Sequence, residues 1–138
     1  RFLDLAQHIA QWSKDTTKVG AVAVDPASRH VLETGYNGIA RGVQDLAARM
    51  ERPLKYKFMC HAEANLVAHA ARSVLSGATV YVTHQPCCDC AKLLINAGVA
   101  KVVYGTGQTA MNPEMFKTAA IMFFEAGVEV EKIDATAG

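Results

Sequence analysis

From His61 onward the chain alternates helical and strand patterns without a break, and this alternation constrains the fold more than any other feature. His61 to Ser73 is Ala-rich and reads as helix, and Ala78 to Thr83 (ATVYVT) as strand. Cys88 to Ala97 predicts a helix closed by Gly98, and Ala100 to Tyr104 another strand. Pro113 to Ala126 has Pro at its start and Gly127 at its end, the asymmetry of a capped helix, and Val128 to Ile133 is a last strand. Strands separated by helices pair in parallel across helical crossovers. The chain is therefore expected to be an α/β domain with about five strands and helices on both faces.

The first half adds an amphipathic helix, with Phe2, Leu3, Leu5, Ala6, Ile9 and Ala10 at helical spacing. Lys18 to Asp25 reads as a buried strand, and His30 to Tyr36 as the other half of a hairpin across the Asp25-Pro26 turn. Gly35 to Gly42 (GYNGIARG) is too glycine-rich for a helix and is expected to be a loop. Residues 43–59 are charged and irregular, and the pattern assigns them no element. Neither a repeat nor a linker divides the chain, so residues 1–138 are read as a single domain. That length suffices to bury a core.

Charge and apolar content narrow the function classes. A net charge of +1, with Glu114, Glu125, Glu129, Glu131 and Asp134 against only Lys117 and Lys132 after Pro113, argues against a grip on long nucleic acid. A small substrate is favoured. The longest apolar run, Ala119 to Phe124, is far short of a bilayer span, and no basic leader with an apolar core opens the chain. Three of the four cysteines fall at 87, 88 and 90, a poor disulfide framework. A reduced, cytoplasmic setting with metal or redox chemistry fits better.

Two motifs carry that chemistry: His61-Ala62-Glu63 and Pro86-Cys87-Cys88-Asp89-Cys90. Each stands where a loop or strand turns into a helix. Cys87 and Cys90, at i and i+3, share one helix face, and a helix N-terminus favours thiolates. With His61 they form three ligands suited to Zn2+, leaving a fourth position for water as catalytic sites do. Glu63, two residues from His61, sits near the metal without having to bind it, as a general acid–base group should. A C-x-x-C pair taken alone is as readily a redox pair or a structural zinc site as a catalytic one, and the bland reading of Glu63 is a cap on the first turn of its helix. The H-A-E motif upstream favours the catalytic reading. Cys60 and Cys88 flank ligands in sequence, so their side chains should point elsewhere. His84 ends a strand just before the cysteines, where pocket walls form, and is carried as a candidate substrate contact.

On these residues the chain resembles the zinc-dependent cytidine and deoxycytidylate deaminases, and within them the deoxycytidylate branch. The likeness is carried by Trp12 to Val24, Gly35 to Gly42, Lys55 to Ala68 and Ala78 to Tyr104, nearly the whole chain with its flanking helices. H-A-E and P-C-x-x-C are common to the fold; GYNG, the C-H-A-E-x-N form with Asn65, and P-C-x-x-C-A-K tilt the match to that branch. The resemblance implies a three-layer α/β/α fold with a five-stranded mixed sheet. It implies hydrolytic deamination of dCMP to dUMP with release of ammonia, His61, Cys87 and Cys90 as zinc ligands, and Glu63 as proton shuttle. It further implies Asn37 as a substrate-orienting amide and the backbone near Ala62 as part of the base pocket. Thr17 and Lys18 border the nucleotide site, where Lys18 is read either as a 5′-phosphate anchor or as a surface lysine.

There are departures. Ala40 stands where the family carries Pro, and Gly105 to Pro113 lacks the aromatic and histidine residues common there, which leaves the exact substrate and a dCTP effector open. The same chemistry on cytidine, deoxycytidine, guanine or a tRNA adenosine is the alternative, followed by a non-catalytic zinc module, which would have no need of Glu63. The tRNA option is weakened by the acidic C-terminal segment and the long stretch between Asn37 and His61. Resemblance and the apolar run on the last helix together imply a homo-oligomer, a dimer or hexamer.

Overall fold

The computed structural model describes residues 1–109 and 111–134. Helix α1 (Phe2–Ala10) buries Leu3, Ala6, Ile9 and Ala10. Strands β1 (Gly20–Val24) and β2 (Val31–Tyr36) form the expected antiparallel hairpin, Gly20 opposite Tyr36. After a long stretch over residues 37–61 come α3 (Ala62–His69), β5 (Thr79–His84), α5 (Cys88–Asn96), β6 (Lys101–Gly107), α6 (Pro113–Ala126) and β7 (Glu129–Lys132). One five-stranded sheet runs β2-β1-β5-β6-β7, with β1 antiparallel to both neighbours and β5, β6 and β7 parallel.

The alternation of side chains along β1 sorts the layers. Val22 and Val24 pack with Ala6 and Ile9 of α1 on one face, while Ala21 and Ala23 face a larger core with Ala62 and Leu66 of α3, Ala91 and Leu94 of α5, and Ala119 and Phe123 of α6. The result is a three-layer α/β/α arrangement around a mixed sheet. Among the described residues no helix is long and apolar enough to cross a membrane.

Three local expectations change. The helix expected over His61 to Ser73 stops at His69; Ala70 and Ala71 are extended, and a separate turn, α4 (Arg72–Leu75), delivers Leu75 into the core with no exposed surface. The Gly35–Gly42 segment is not all loop. Gly35 and Tyr36 belong to β2, and β3 (Gly38–Ile39) pairs antiparallel with β4 (Met59–Cys60), a partner too distant in sequence for a local pattern to reveal. The unassigned residues 43–59 hold a 3-10 turn (Ala47–Met50) and the one-turn helix α2 (Lys55–Phe58).

Gly35 fixes how α3 meets the sheet. A methyl group there would lie 2.5 Å from the Ala62 carbonyl and 2.8 Å from the Leu66 nitrogen. Without it the first turn of α3 lies directly on β2, at the carboxyl end of β5 where α5 also begins. In open α/β sheets this is where ligands bind.

Candidate metal and catalytic site

Both helices that converge here have unusual N-cap residues. Ser, Thr, Asp or Asn commonly occupies that position and bonds the first turn. Here His61 caps α3 and Cys87 caps α5, neither side chain makes a capping hydrogen bond, and both are left for another partner. Cys90 follows one turn into α5. His61 Nδ1 lies 3.3 Å from Cys90 Sγ and 3.5 Å from Cys87 Sγ, and the three ligand atoms all fall within 4.8 Å of one another. Tetrahedral Zn2+, with bonds of about 2.1 Å to nitrogen and 2.3 Å to sulfur, spaces such atoms roughly 3.6 Å apart. The donor set therefore fits zinc in size and softness.

Electrostatics point the same way. The Cys87 thiol is pushed down to about 4 by a hydrogen bond from Cys90, against the effect of burial, with the His61 ring adding to it. Cys90 moves up in consequence, through that same bond and through burial. The protein alone thus stabilises one thiolate, and a cation is what would stabilise two. Glu63, at the second position of α3, is 4% exposed. Burial pushes its carboxyl up to about 7, opposed by a backbone hydrogen bond and the nearby His61. A carboxyl poised near neutrality can both take and return a proton.

A cavity of about 330 Å³ opens at this point. Of the residues expected to form the site, Thr17, Asn37, His61, Ala62, Glu63, His84 and Cys87 line it. Cys90 stands behind, among the buried residues of α5. Cys88 turns away, its Sγ 3.6 Å from Met115 Sδ on α6, and Cys60 is outside the ligand group.

Lys18 is the exception. It lies between two lining residues, Thr17 and Val19, but does not line the cavity itself, and its ammonium donates to the Ser13 carbonyl. The cations at the cavity are Arg52 and Lys55 instead. Asn37 also differs in detail from a free amide. Its Nδ2 donates to Thr17 O at 2.8 Å and Asp15 Oδ2 at 3.3 Å, and its Oδ1 accepts from Val19 N at 2.9 Å. One lone pair on Oδ1 is all it has left for a ligand.

Pattern reading passed over Asp15 and Lys55. Their side chains are 4% and 6% exposed and meet at 2.9 Å in the cavity wall. Burial raises the Asp15 carboxyl, but the hydrogen bonds from Lys55 and the Thr17 N–H outweigh it and hold the group below its ordinary value. A lone Lys in an unassigned stretch carries no periodic signal. The hint was that Asp15 lies inside the Trp12–Val24 match and Lys55 opens the Lys55–Ala68 one.

A profile described as the cytidine and deoxycytidylate deaminase zinc-binding region matches residues 1–106. The chain belongs to this family. An uncharacterized deaminase from the luxG 3′ region of Aliivibrio fischeri is 39% identical over 135 residues, 94% of this chain and 89% of that protein. The deoxycytidylate deaminase of Pongo abelii is 34% identical over 139 residues, 95% and 76% of the two chains. Among solved structures, the dCMP deaminase of cyanophage S-TIM5 in complex with dCMP and dUMP is 30% identical, with a TM-score of 0.72 over 96% of this chain and 93% of that one. The deaminase described here thus has zinc as its metal, and its His/Cys/Cys group could hold it.

Proposed function

We propose that this deaminase, acting as a single domain, converts dCMP and water to dUMP and ammonia. The observation that carries the reading is a buried carboxyl, Glu63, beside the His61–Cys87–Cys90 group in a cavity of nucleotide-fitting size that cations also line. The similarity to the dCMP-binding cyanophage enzyme adds the substrate.

His61, Cys87 and Cys90 would hold Zn2+, which when bound supplies a Lewis acid and lowers the pKa of a water to about 7. Glu63 takes one proton of the attacking water and delivers it to the pyrimidine ring nitrogen as C4–O forms, then takes the second from the new C4 hydroxyl and delivers it to the leaving amine as C4–N breaks. The N–H of Ala62, in the first turn of α3, has no intrahelical acceptor and faces the base carbonyl. Asn37, with one lone pair on Oδ1 to spare, accepts from a sugar hydroxyl. Arg52 has no salt bridge among the described residues and meets the 5′-phosphate as a planar donor.

The exposed face of α6, with Ile121 and Phe124 outward beside Val130 of β7, supports self-association. The free thiols of Cys60, Cys87, Cys88 and Cys90 suit a reducing cytoplasm. Ammonia release from dCMP, CMP, deoxycytidine, guanine and a tRNA anticodon stem-loop tests the substrate, with dCMP expected to be fastest and another leader overturning it. Light scattering tests assembly, and a mass near the 14.8 kDa of one chain would contradict it.

A further inference from the structure

His84, the last residue of β5, is held on two sides. Thr83 Oγ1 lies 2.7 Å from His84 Nδ1 and also accepts the Gly20 N–H at 3.2 Å. Thr83 is buried, and among the described residues its single hydroxyl hydrogen has no acceptor other than that Nδ1. A buried donor left without a partner is costly, so the hydroxyl donates to Nδ1 and the ring proton sits on Nε2. On the second side is Gly107 of β6. A methyl group there would lie 2.5 Å from Nδ1 and Cε1 and 2.6 Å from Cγ, so the Nδ1 edge of the ring is backed by main chain.

The opposite edge carries Nε2 and faces away from Gly107. Gly107 borders a second cavity of about 210 Å³ and not the one that contains Glu63, while His84, Gln85 and Thr109 line both. His84 lines Glu63's cavity, and with Nδ1 engaged by Thr83 the ring nitrogen left to serve that cavity is Nε2. It bonds to no described residue, and no buried side-chain nitrogen or oxygen among the described residues lacks a partner, so it reaches open space.

We propose that His84 is a substrate-binding residue whose Nε2–H donates to an uncharged acceptor oxygen on the base or sugar of the bound pyrimidine nucleotide, with Thr83 and Gly107 positioning it. The inference rests on the nucleotide reading above. Burial also holds the ring below the usual imidazole range, and a neutral donor leaves the phosphate to Arg52.

The test uses the zinc-loaded enzyme with 15N-labelled histidine. The His84 ring is expected to show a protonated Nε2 and a bare Nδ1, with dUMP shifting the Nε2 resonance. Thr83→Val should mix the tautomers and Thr83→Ser restore them. His84→Phe should weaken dUMP binding about tenfold at unchanged zinc content, and His84→Gln, which keeps an N–H, less than that. Deoxyuridine should lose the same factor as dUMP, and a loss confined to dUMP overturns the uncharged acceptor. A ring protonated on Nδ1, or a His84→Phe enzyme that binds dUMP as well as the parent, overturns the inference while the dCMP reading stands. A parent that neither turns over dCMP nor binds dUMP brings down both.

Discussion

On one side of the cavity His61, Ala62, Glu63 and Cys87 come from the first turns of α3 and α5, which are anchored in the sheet by Leu66, Ala91 and Leu94, none with exposed surface. On the other side Arg52, Lys55, Tyr56 and Met59 come from a turn-rich stretch in which Leu46, Leu54 and Tyr56 stand in solvent. The first wall is held by the core itself, so displacing a ligand would require repacking the domain. The second is held by a few polar links, chiefly Lys55 to Asp15 and Asp15 to Asn37. On the proposed reading, chemistry that tolerates no misplacement sits on the rigid wall, and groups that choose the ligand sit on the adjustable one.

The most damaging change to the first wall removes a zinc ligand. Cys87→Ala or Cys90→Ala should lose the metal and all measurable turnover, whereas Cys88→Ala, whose sulfur faces Met115, should retain both. Metal analysis of each variant purified without added zinc checks this. An empty site in Cys88→Ala would mean that the ligand set is wrong.

Next comes Glu63→Gln, which preserves shape but cannot move a proton. Acid–base groups are worth about 10²–10⁴ in rate, and one serving several transfers should lie at the upper end. Zinc should remain bound. Were Glu63 only a first-turn cap, the loss would be about 1 kcal/mol of stability with turnover largely intact. Single-turnover deamination of dCMP distinguishes the two, and a rate within tenfold of the parent removes the proton-transfer role.

The rigid wall was also the legible one. His61, Glu63, Cys87 and Cys90 announce themselves because ligand spacing and helix starts are local properties of sequence, and the α6 boundaries follow from Pro113 and Gly127. The adjustable wall is assembled from pairings invisible to any window. Gly38–Ile39 meets Met59–Cys60, and Asp15 meets Lys55 across forty positions. Lys18 stands out for its charge beside Thr17, but its ammonium is taken up by the Ser13 carbonyl five positions back. The break of α3 after His69 was hidden for a related reason, since Ala70 and Ala71 are good helix formers and the pull on Leu75 is tertiary.

Removing Asp15 tests how the second wall stands. Asp15→Ala leaves the Lys55 ammonium buried without its counter-charge, a loss of about 3–5 kcal/mol, so the melting temperature should fall by about 10 °C or more. Because the folded Asp15 carboxyl lies below its ordinary value of 3.8, its contribution is complete above that value and is lost as pH falls through the folded one. Melting of the parent should therefore steepen below about pH 4 relative to Asp15→Asn. Parallel curves for the two proteins would show that the pair contributes nothing.

The smallest effect is expected at Lys18, and it sharpens the contrast most directly. Lys18→Ala and Arg52→Ala both remove one cation close to the nucleotide cavity, yet only Arg52 lines it. Lys18 gives up a hydrogen bond to the Ser13 carbonyl, a loss of about 1 kcal/mol or less of stability, since water can take its place beside an exposed residue. Its KM for dCMP should stay within about twofold of the parent. Arg52→Ala should raise KM about tenfold with kcat little changed, because a phosphate contact is made equally in ground and transition states. Steady-state kinetics on dCMP and deoxycytidine separate the cases, as deoxycytidine has no phosphate to lose. A tenfold rise for Lys18→Ala on dCMP alone would mean that the side chain swings from Ser13 to the ligand, and that the boundary between the two walls lies elsewhere.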